Sequence, residues 1–242
     1  MKFNVLKRNQ NIFYIIYFEV LSMFIYAILA NYNNYQSLFN LDNLKIFFTN
    51  NYPIILIWII LLVETFKVKK SSLYLYILFE ALIIFLILKF FIIRFNILTV
   101  MIWTLLCFII HYFYLLLNFE LKSAYFNPIY DDESDYEDKI KIKIFVTIMT
   151  NNTLYNGYLT NWDQNSCFIR LENPLPKIST DLMVNLRFKE KDFQNNGKLV
   201  TITTNRKGVG IKFYRDYNDI NNWYSLYNII VDYGYLPNLV CN

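Results

Sequence analysis

Four long apolar runs dominate the first half of this chain, at residues 11–30, 52–68, 73–93 and 95–119. Such runs leave the backbone few options. The hydrocarbon core of a bilayer, about 30 Å thick, is crossed by about 20 helical residues. In lipid the backbone amides of a single run must pair within that run, which requires a helix. The sequence therefore predicts four transmembrane helices within residues 1–122. The second run is the shortest, with room to begin nearer Ile46, and its Pro53 suits a first helical turn. Composition points the same way: 56% of the 242 residues are hydrophobic and 17% charged, the balance of a membrane protein.

Basic residues give the orientation. Lys2, Lys7 and Arg8 precede the first run, Lys67, Lys69 and Lys70 separate the second from the third, and Lys122 follows the fourth. The 31–51 loop carries only Lys45, while Lys89 and Arg94 run against the trend. Lys and Arg accumulate on the cytoplasmic side, so both termini are expected in the cytoplasm. The first run is longer than a signal-peptide core, and "AILANYNN" lacks a clean A-x-A cleavage site, so a retained helix is expected. Cys107, Cys167, Cys241 and the single His111 have no metal-site spacing; the thiols are read as reduced and no metal is expected.

Ionisable side chains inside membrane helices are costly and therefore informative. Glu19, Glu64, Glu80, Lys89 and His111 are of this kind. If the last two helices form a hairpin bending near Phe95, Glu80 and His111 reach similar depth, and Glu19 and Glu64 fall in the cytoplasmic half. An intramembrane polar cluster of Glu19, Glu64, Glu80 and His111 is expected. It serves either as a clamp between helices or subunits, or as a proton or ion path. No internal repeat of the transporter kind is present, which favours the clamp.

The second half changes character. Residues 131–138 hold six carboxylates, which repel one another and predict a solvated linker over 123–138. From Lys139, "KIKIKIFVTIM" alternates polar and apolar, as a strand with one buried face does. Further strands are expected at about 155–161, 166–172, 182–188, 198–204 and 209–214, with turns at "NNGK" (195–198) and "NRKG" (205–208). Six short strands predict a small antiparallel barrel, which closes its own edges. Ile220, Trp223, Leu226, Tyr227 and Ile230 then repeat at helical spacing, with Asn218 or Asp219 as N-cap and Gly234 as terminator.

"GYLTNWDQNSCFIRLENPLP", "LMVNLRF" and "VTITTNRKGVGIKF" before a helix together resemble the PilZ domain, a bacterial module that often binds cyclic di-GMP. The resemblance spans about residues 139–235. It implies a six-stranded barrel with a C-terminal helix and a polar corner of the pattern D/N-x-S-x-x-G. Here the corner reads Asn161-Trp162-Asp163-Gln164-Asn165-Ser166. Family members that bind the nucleotide also carry R-x-x-x-R before the first strand. This chain has no arginine between Arg94 and Arg170; Lys139 and Lys143 keep the spacing but lack the planar fork of arginine. Asn161 suits a guanine edge, whereas Asp163 adds a negative charge and Ser166 stands where the family has glycine. By resemblance, then, Lys139, Lys143, Asn161, Asp163 and Ser166 mark the candidate cyclic di-GMP site, and the departures predict that it stands empty. Read from the residues alone, "NWDQNS" is a polar turn.

No catalytic residues are expected: there is no nucleophile with a partnered histidine and no phosphate-cradling glycine loop. A net charge of +4 is too small and scattered for nucleic acid. The resulting expectation is a non-enzymatic regulatory or scaffold subunit of the bacterial inner membrane, without cofactor. Its partners would be the lipid bilayer and a membrane protein or a second copy, within a machine for polysaccharide synthesis or export, pili, flagella or gliding. The alternatives are a genuine cyclic di-GMP sensor and, more distantly, a small ion channel or transporter subunit.

Overall fold

The computed structural model describes residues 3–33, 41–93, 97–130, 143–150, 153–176, 181–214 and 222–235. It divides into two compact units, Asn9–Leu121 and the combination of Met1–Arg8 with Lys122–Asn242.

The first unit is helical: α1 (Gln10–Asn33), α2 (Leu41–Asn50), α3 (Tyr52–Phe66), α4 (Ser71–Ile93) and α5 (Ile97–Lys122). Among the described residues, three helical stretches are long and apolar enough to cross a membrane: Gln10–Asn31, Ser71–Lys89 and Val100–Lys122. The sequence led us to expect four. The second run forms α3, whose 15 residues rise about 22 Å, short of a hydrocarbon core of about 30 Å. It is cut short at its start. Asn51 turns its side-chain amide back to the Phe47 carbonyl at 2.9 Å, and Pro53 in the first turn lacks the N–H that a helix continuing from α2 would need. The 31–51 stretch, expected as a loop, contains α2.

Side chains fix the order of the bundle. Asn9 and Asn11 both donate to Glu120 Oε1, at 2.8 and 2.5 Å, so the start of α1 meets the end of α5. Phe18 and Phe113 stack with ring centroids 4.4 Å apart. Tyr26 donates to Asn51 Oδ1 at 2.5 Å, while Thr65 reaches Glu19, so α3 runs antiparallel to α1. Ile12, Ile15, Leu61, Phe79, Ile83 and Ile87 fill the interior. Phe24, Phe85, Phe108 and Phe119 stay exposed on an apolar exterior, as expected of helices that face hydrocarbon rather than water.

The second unit is a closed antiparallel barrel of six strands: β2 (Ile144–Thr150), β3 (Thr153–Asp163), β4 (Ser166–Leu171), β5 (Asp181–Phe188), β6 (Lys191–Thr203) and β7 (Gly208–Phe213). The order is β6-β5-β2-β3-β4-β7, and pairing of β7 with β6 closes it. Alternation along each strand sends Val146, Ile148, Leu159, Ile169, Val184, Leu186 and Ile211 inward. A full burial of this kind contributes about 1.5–3 kcal/mol per side chain. The helix α6 (Trp223–Asp232) adds Trp223, Leu226 and Ile230 to the same core. Asn222 caps it, its side chain accepting from the Ser225 N–H at 2.9 Å. Gly234, at φ +77°, terminates it as expected, with the Tyr235 N–H bonded to the Ile230 carbonyl. The sequence pointed to Asn218 or Asp219 as the cap; both lie outside the described residues, as do Lys139 and Lys141 at the expected start of β2.

Two features depart from expectation. β6 is thirteen residues long and runs through "NNGK"; the turn before it is Lys189–Glu190, both at positive φ (46° and 67°), in the manner of a tight hairpin. Gly197 makes no turn but leaves room for β7, since a Cβ there would lie 2.6 Å from Ile211 Cγ2. The other departure is an additional strand, β1 (Phe3–Val5), at the far end of the sequence. It pairs with the end of β6, Phe3 opposite Thr203 and Val5 opposite Thr201, along the edge that β5 leaves free.

Candidate functional site

The polar corner between β3 and β4 is built around Asp163. Its Oδ1 accepts from the Asn165 N–H at 2.8 Å, an Asx turn that sets the two-residue hairpin. Its Oδ2 accepts from the Ser166 hydroxyl at 2.6 Å and from the Ala124 N–H at 2.8 Å. The Trp223 indole N–H reaches the Asp163 carbonyl at 2.8 Å and ties α6 to the same point. The negative charge that looked adverse for a nucleotide is thus an acceptor for three donors of the chain itself.

Ala124 opens the second component. Ala124–Phe126 form a 3-10 turn, and Ala124, Tyr125, Phe126, Ile129 and Tyr130 are buried. The linker expected over 123–138 is therefore, in its first half, a packed element; residues 131–138 lie outside the described residues. The apolar letters of "AYFNPIY" carried this signal ahead of the acidic run. The segment lies on the outer face of the barrel, where Phe168 points away from the inward Cys167 and Ile169 and meets the Tyr130 ring edge-on at 6.3 Å. Arg170 Cζ sits 5.9 Å from the Tyr130 centroid.

Two β-bulges aim side chains at this segment. One lies between Leu159 and Asn161 in β3, the other between Leu199 and Thr201 in β6. After the first, Asn161 donates its amide to the Asn127 carbonyl at 2.5 Å, while its Oδ1 accepts from the Trp162 N–H. After the second, the Thr201 hydroxyl donates to the Tyr125 carbonyl at 2.5 Å. Between them, Gly210 lets the turn approach: a Cβ there would lie 2.3 Å from the Tyr125 carbonyl oxygen. Thr201 and the 124–130 segment were not among the residues singled out from the sequence.

Of the candidate nucleotide-site residues, the structure brings Asn161, Asp163 and Ser166 together. Asn161 and Ser166 are buried. Lys143 is exposed, with its Nζ 5.9 Å from the Tyr158 ring centroid, and Lys139 lies outside the described residues. Behind the corner Cys167 is a free, fully buried thiol. Burial, and then the Asp163 charge, push its pKa well above the ordinary thiol value.

In the helical unit, Glu19 and Glu80 converge through Ser22, and both are buried. Glu64 and His111 are placed elsewhere. Glu64 sits at the end of α3, accepting from Lys69 and Ser71 at 2.6 Å each. Tyr76, one turn before Glu80, donates to the Ile110 carbonyl, so α4 and α5 align at this level; His111 nevertheless lies on the exposed side of α5. Among the described residues, no group of three or more His, Cys, Asp or Glu side chains is placed to hold a metal.

No protein-family model matches this sequence, and no curated protein matches it either. Among solved structures, the chain is similar to the crystal structure of the PilZ domain of CeSA from a cellulose-synthesizing bacterium, at 12% identity. That match covers 39% of this chain and 94% of the other, with a TM-score of 0.29.

Proposed function

We propose that this chain is a non-enzymatic regulatory or scaffold subunit of a bacterial inner membrane, anchored by its helical unit and presenting a PilZ-like barrel to a membrane partner. One observation carries this reading: the polar groups of the β3–β4 corner are already bonded to the 124–127 segment of the same chain. A ligand that needed Asn161 or Asp163 would have to displace a buried segment first. The lysines standing at the family's arginine spacing also lack the guanidinium fork. Both support a barrel that works through its surface rather than through a bound nucleotide.

Titration calorimetry on the full chain in detergent, with cyclic di-GMP, tests the proposal. The expected result is no heat of binding up to millimolar ligand. Micromolar binding that disappears on Lys143→Ala or Asn161→Ala would establish a sensor instead. The full chain is needed because Phe3–Val5 belong to the barrel sheet.

That strand also bears on membrane arrangement. Arg8 and Lys122, which bracket the helical unit, both belong to the barrel unit. An even number of crossings, with both termini on one side, is part of this proposal. Three helices are long enough; we take the short α3, bonded along its length to α1, as completing two hairpins. The lysines at 67, 69 and 70 favour the cytoplasm for that side.

A further inference from the structure

Three helices meet at Glu19 and Glu80, and one oxygen of each carboxyl group is buried there without a hydrogen-bond partner among the described residues. Ser22 on α1 places its hydroxyl oxygen 3.1 Å from Glu80 Oε1 on α4 and 3.2 Å from the Glu19 carbonyl oxygen. That hydroxyl owns one proton, and a backbone carbonyl can only accept. With the Glu19 carbonyl also served by Trp58, the Ser22 proton is free for Glu80 Oε1. On α3, Thr65 gives its single hydroxyl proton to Glu19 Oε1 at 2.9 Å, and the Trp58 indole N–H caps the Glu19 carbonyl at 3.1 Å. This leaves Glu19 Oε2 and Glu80 Oε2 buried with no hydrogen-bond partner among the described residues. Both side chains are essentially solvent-free, at 0% and 1% exposure. Two bare carboxylates in such a place would repel each other and forgo hydration, a cost of several kcal/mol per ion without a compensating cation.

Among the described residues no compensating cation is at hand; Lys89 of α4 is exposed. Around the pair, α3 also carries Glu64, whose carboxylate is committed to Lys69. On α4, the Tyr76 hydroxyl donates to Ile110. From α5, His111 is exposed, and Glu120 is bonded to Asn9 and Asn11 at the bundle's end. Asp42 and Lys45 of α2 are exposed.

We propose that Glu19 and Glu80 form a buried proton-binding site, which holds one exchangeable proton at the junction of α1, α3 and α4. The proton sits on a carboxylate oxygen and neutralises one of the two charges. On release it passes to water, and no other bond is made or broken. Its departure would leave two like charges between α1 and α4, so occupancy sets how tightly α1 packs. This goes beyond the scaffold reading and does not depend on what the barrel binds.

Infrared spectroscopy of the full chain in lipid nanodiscs tests the site. At neutral pH the wild type should show a protonated-carboxyl C=O band that shifts on exchange into D2O. The band should shrink in Glu80→Gln and vanish in the Glu19→Gln/Glu80→Gln double variant. It should also fall in the wild type as pH rises, with no response to Na+ at fixed pH. A wild-type spectrum with no such band overturns the proposal, as does a band untouched in the double variant. A band abolished by Na+ at constant pH would make this a metal-cation site and overturn the proton assignment. The D2O and Na+ arms need no variant, so they decide the question even if glutamine disturbs packing.

Discussion

Asn161 and Thr201 follow β-bulges in strands on either side of the β4–β7 pair, and each donates a 2.5 Å hydrogen bond to a carbonyl of one segment, Asn127 and Tyr125 respectively. A bulge re-aims the residue beside it. Here two of them turn side chains toward a common object, which the barrel holds as a clamp holds a rod. Asp163 supplies the third grip, through the Ala124 N–H.

Removing that grip should be costly. Asp163→Ala deletes an acceptor for three donors and strands the Ser166 hydroxyl in a buried site, so the barrel should lose about 2–3 kcal/mol. Asp163→Asn, which keeps one acceptor oxygen, should lose less. Urea denaturation followed by tryptophan fluorescence reads both; an unchanged midpoint in the alanine variant would show that Asp163 does not hold the corner.

Gly210→Ala puts a methyl group where the Tyr125 carbonyl and the Thr201 hydroxyl now lie, at 2.3 and 2.1 Å. Backbone cannot yield there cheaply, and overpacking of this kind costs about 1–3 kcal/mol. The 124–126 turn should be expelled, so chymotrypsin should cut after Tyr125 or Phe126 much faster than in the wild type. Equal cutting rates would contradict the close approach described.

The Cys167 thiol predicts a pH dependence. Its pKa is raised in the folded chain by burial and by Asp163, so the folded state retains a proton that the unfolded state releases. By linkage, stability from this source is intact below the unfolded thiol value of about 8.5. It then declines as pH climbs above that value toward the folded pKa. The denaturation midpoint should therefore fall between neutral pH and about pH 10, and Cys167→Ala should flatten that fall. A parallel slope in both proteins would assign the loss to other groups. Thiol reagents should leave Cys167 unmodified until denaturant is added.

β1 predicts sidedness. A cysteine placed at Asn4, an exposed position, and one at Lys198 should share one response to a membrane-impermeant maleimide in sealed inside-out vesicles. Opposite responses would break the pairing of Phe3–Val5 with β6.

Much of this architecture was legible in the letters, for identifiable reasons. Period-two alternation marked β2 because one face of it is buried, and Gly234 marked the end of α6 because the left-handed turn there favours glycine. β1 escaped because three residues carry no readable period, and their partner lies in the β6 edge that β5 vacates. The Lys189–Glu190 turn escaped because its residues are not those such turns prefer; "NNGK" was the better-looking candidate. Asn161, Asp163 and Ser166 were found as a group, but their partner was not. The acidic run after Tyr130 drew attention away from the apolar letters before it, and the bulge that aims Thr201 leaves no trace in composition. Glu19 and Glu80 stood out as carboxyls in apolar runs, yet only the packing of three helices separates them from Glu64 and His111.

Phe3 and Thr203 are neighbours in one sheet although they stand two hundred positions apart in the sequence. Phe3–Val5 must wait for their partner until nearly the whole barrel is synthesised. Long-range closure of this sort is slow, since the loop entropy is spent before the contact rewards it. Completing the sheet is thus a late step, which ties the segment before α1 to one of the last-made strands of the barrel.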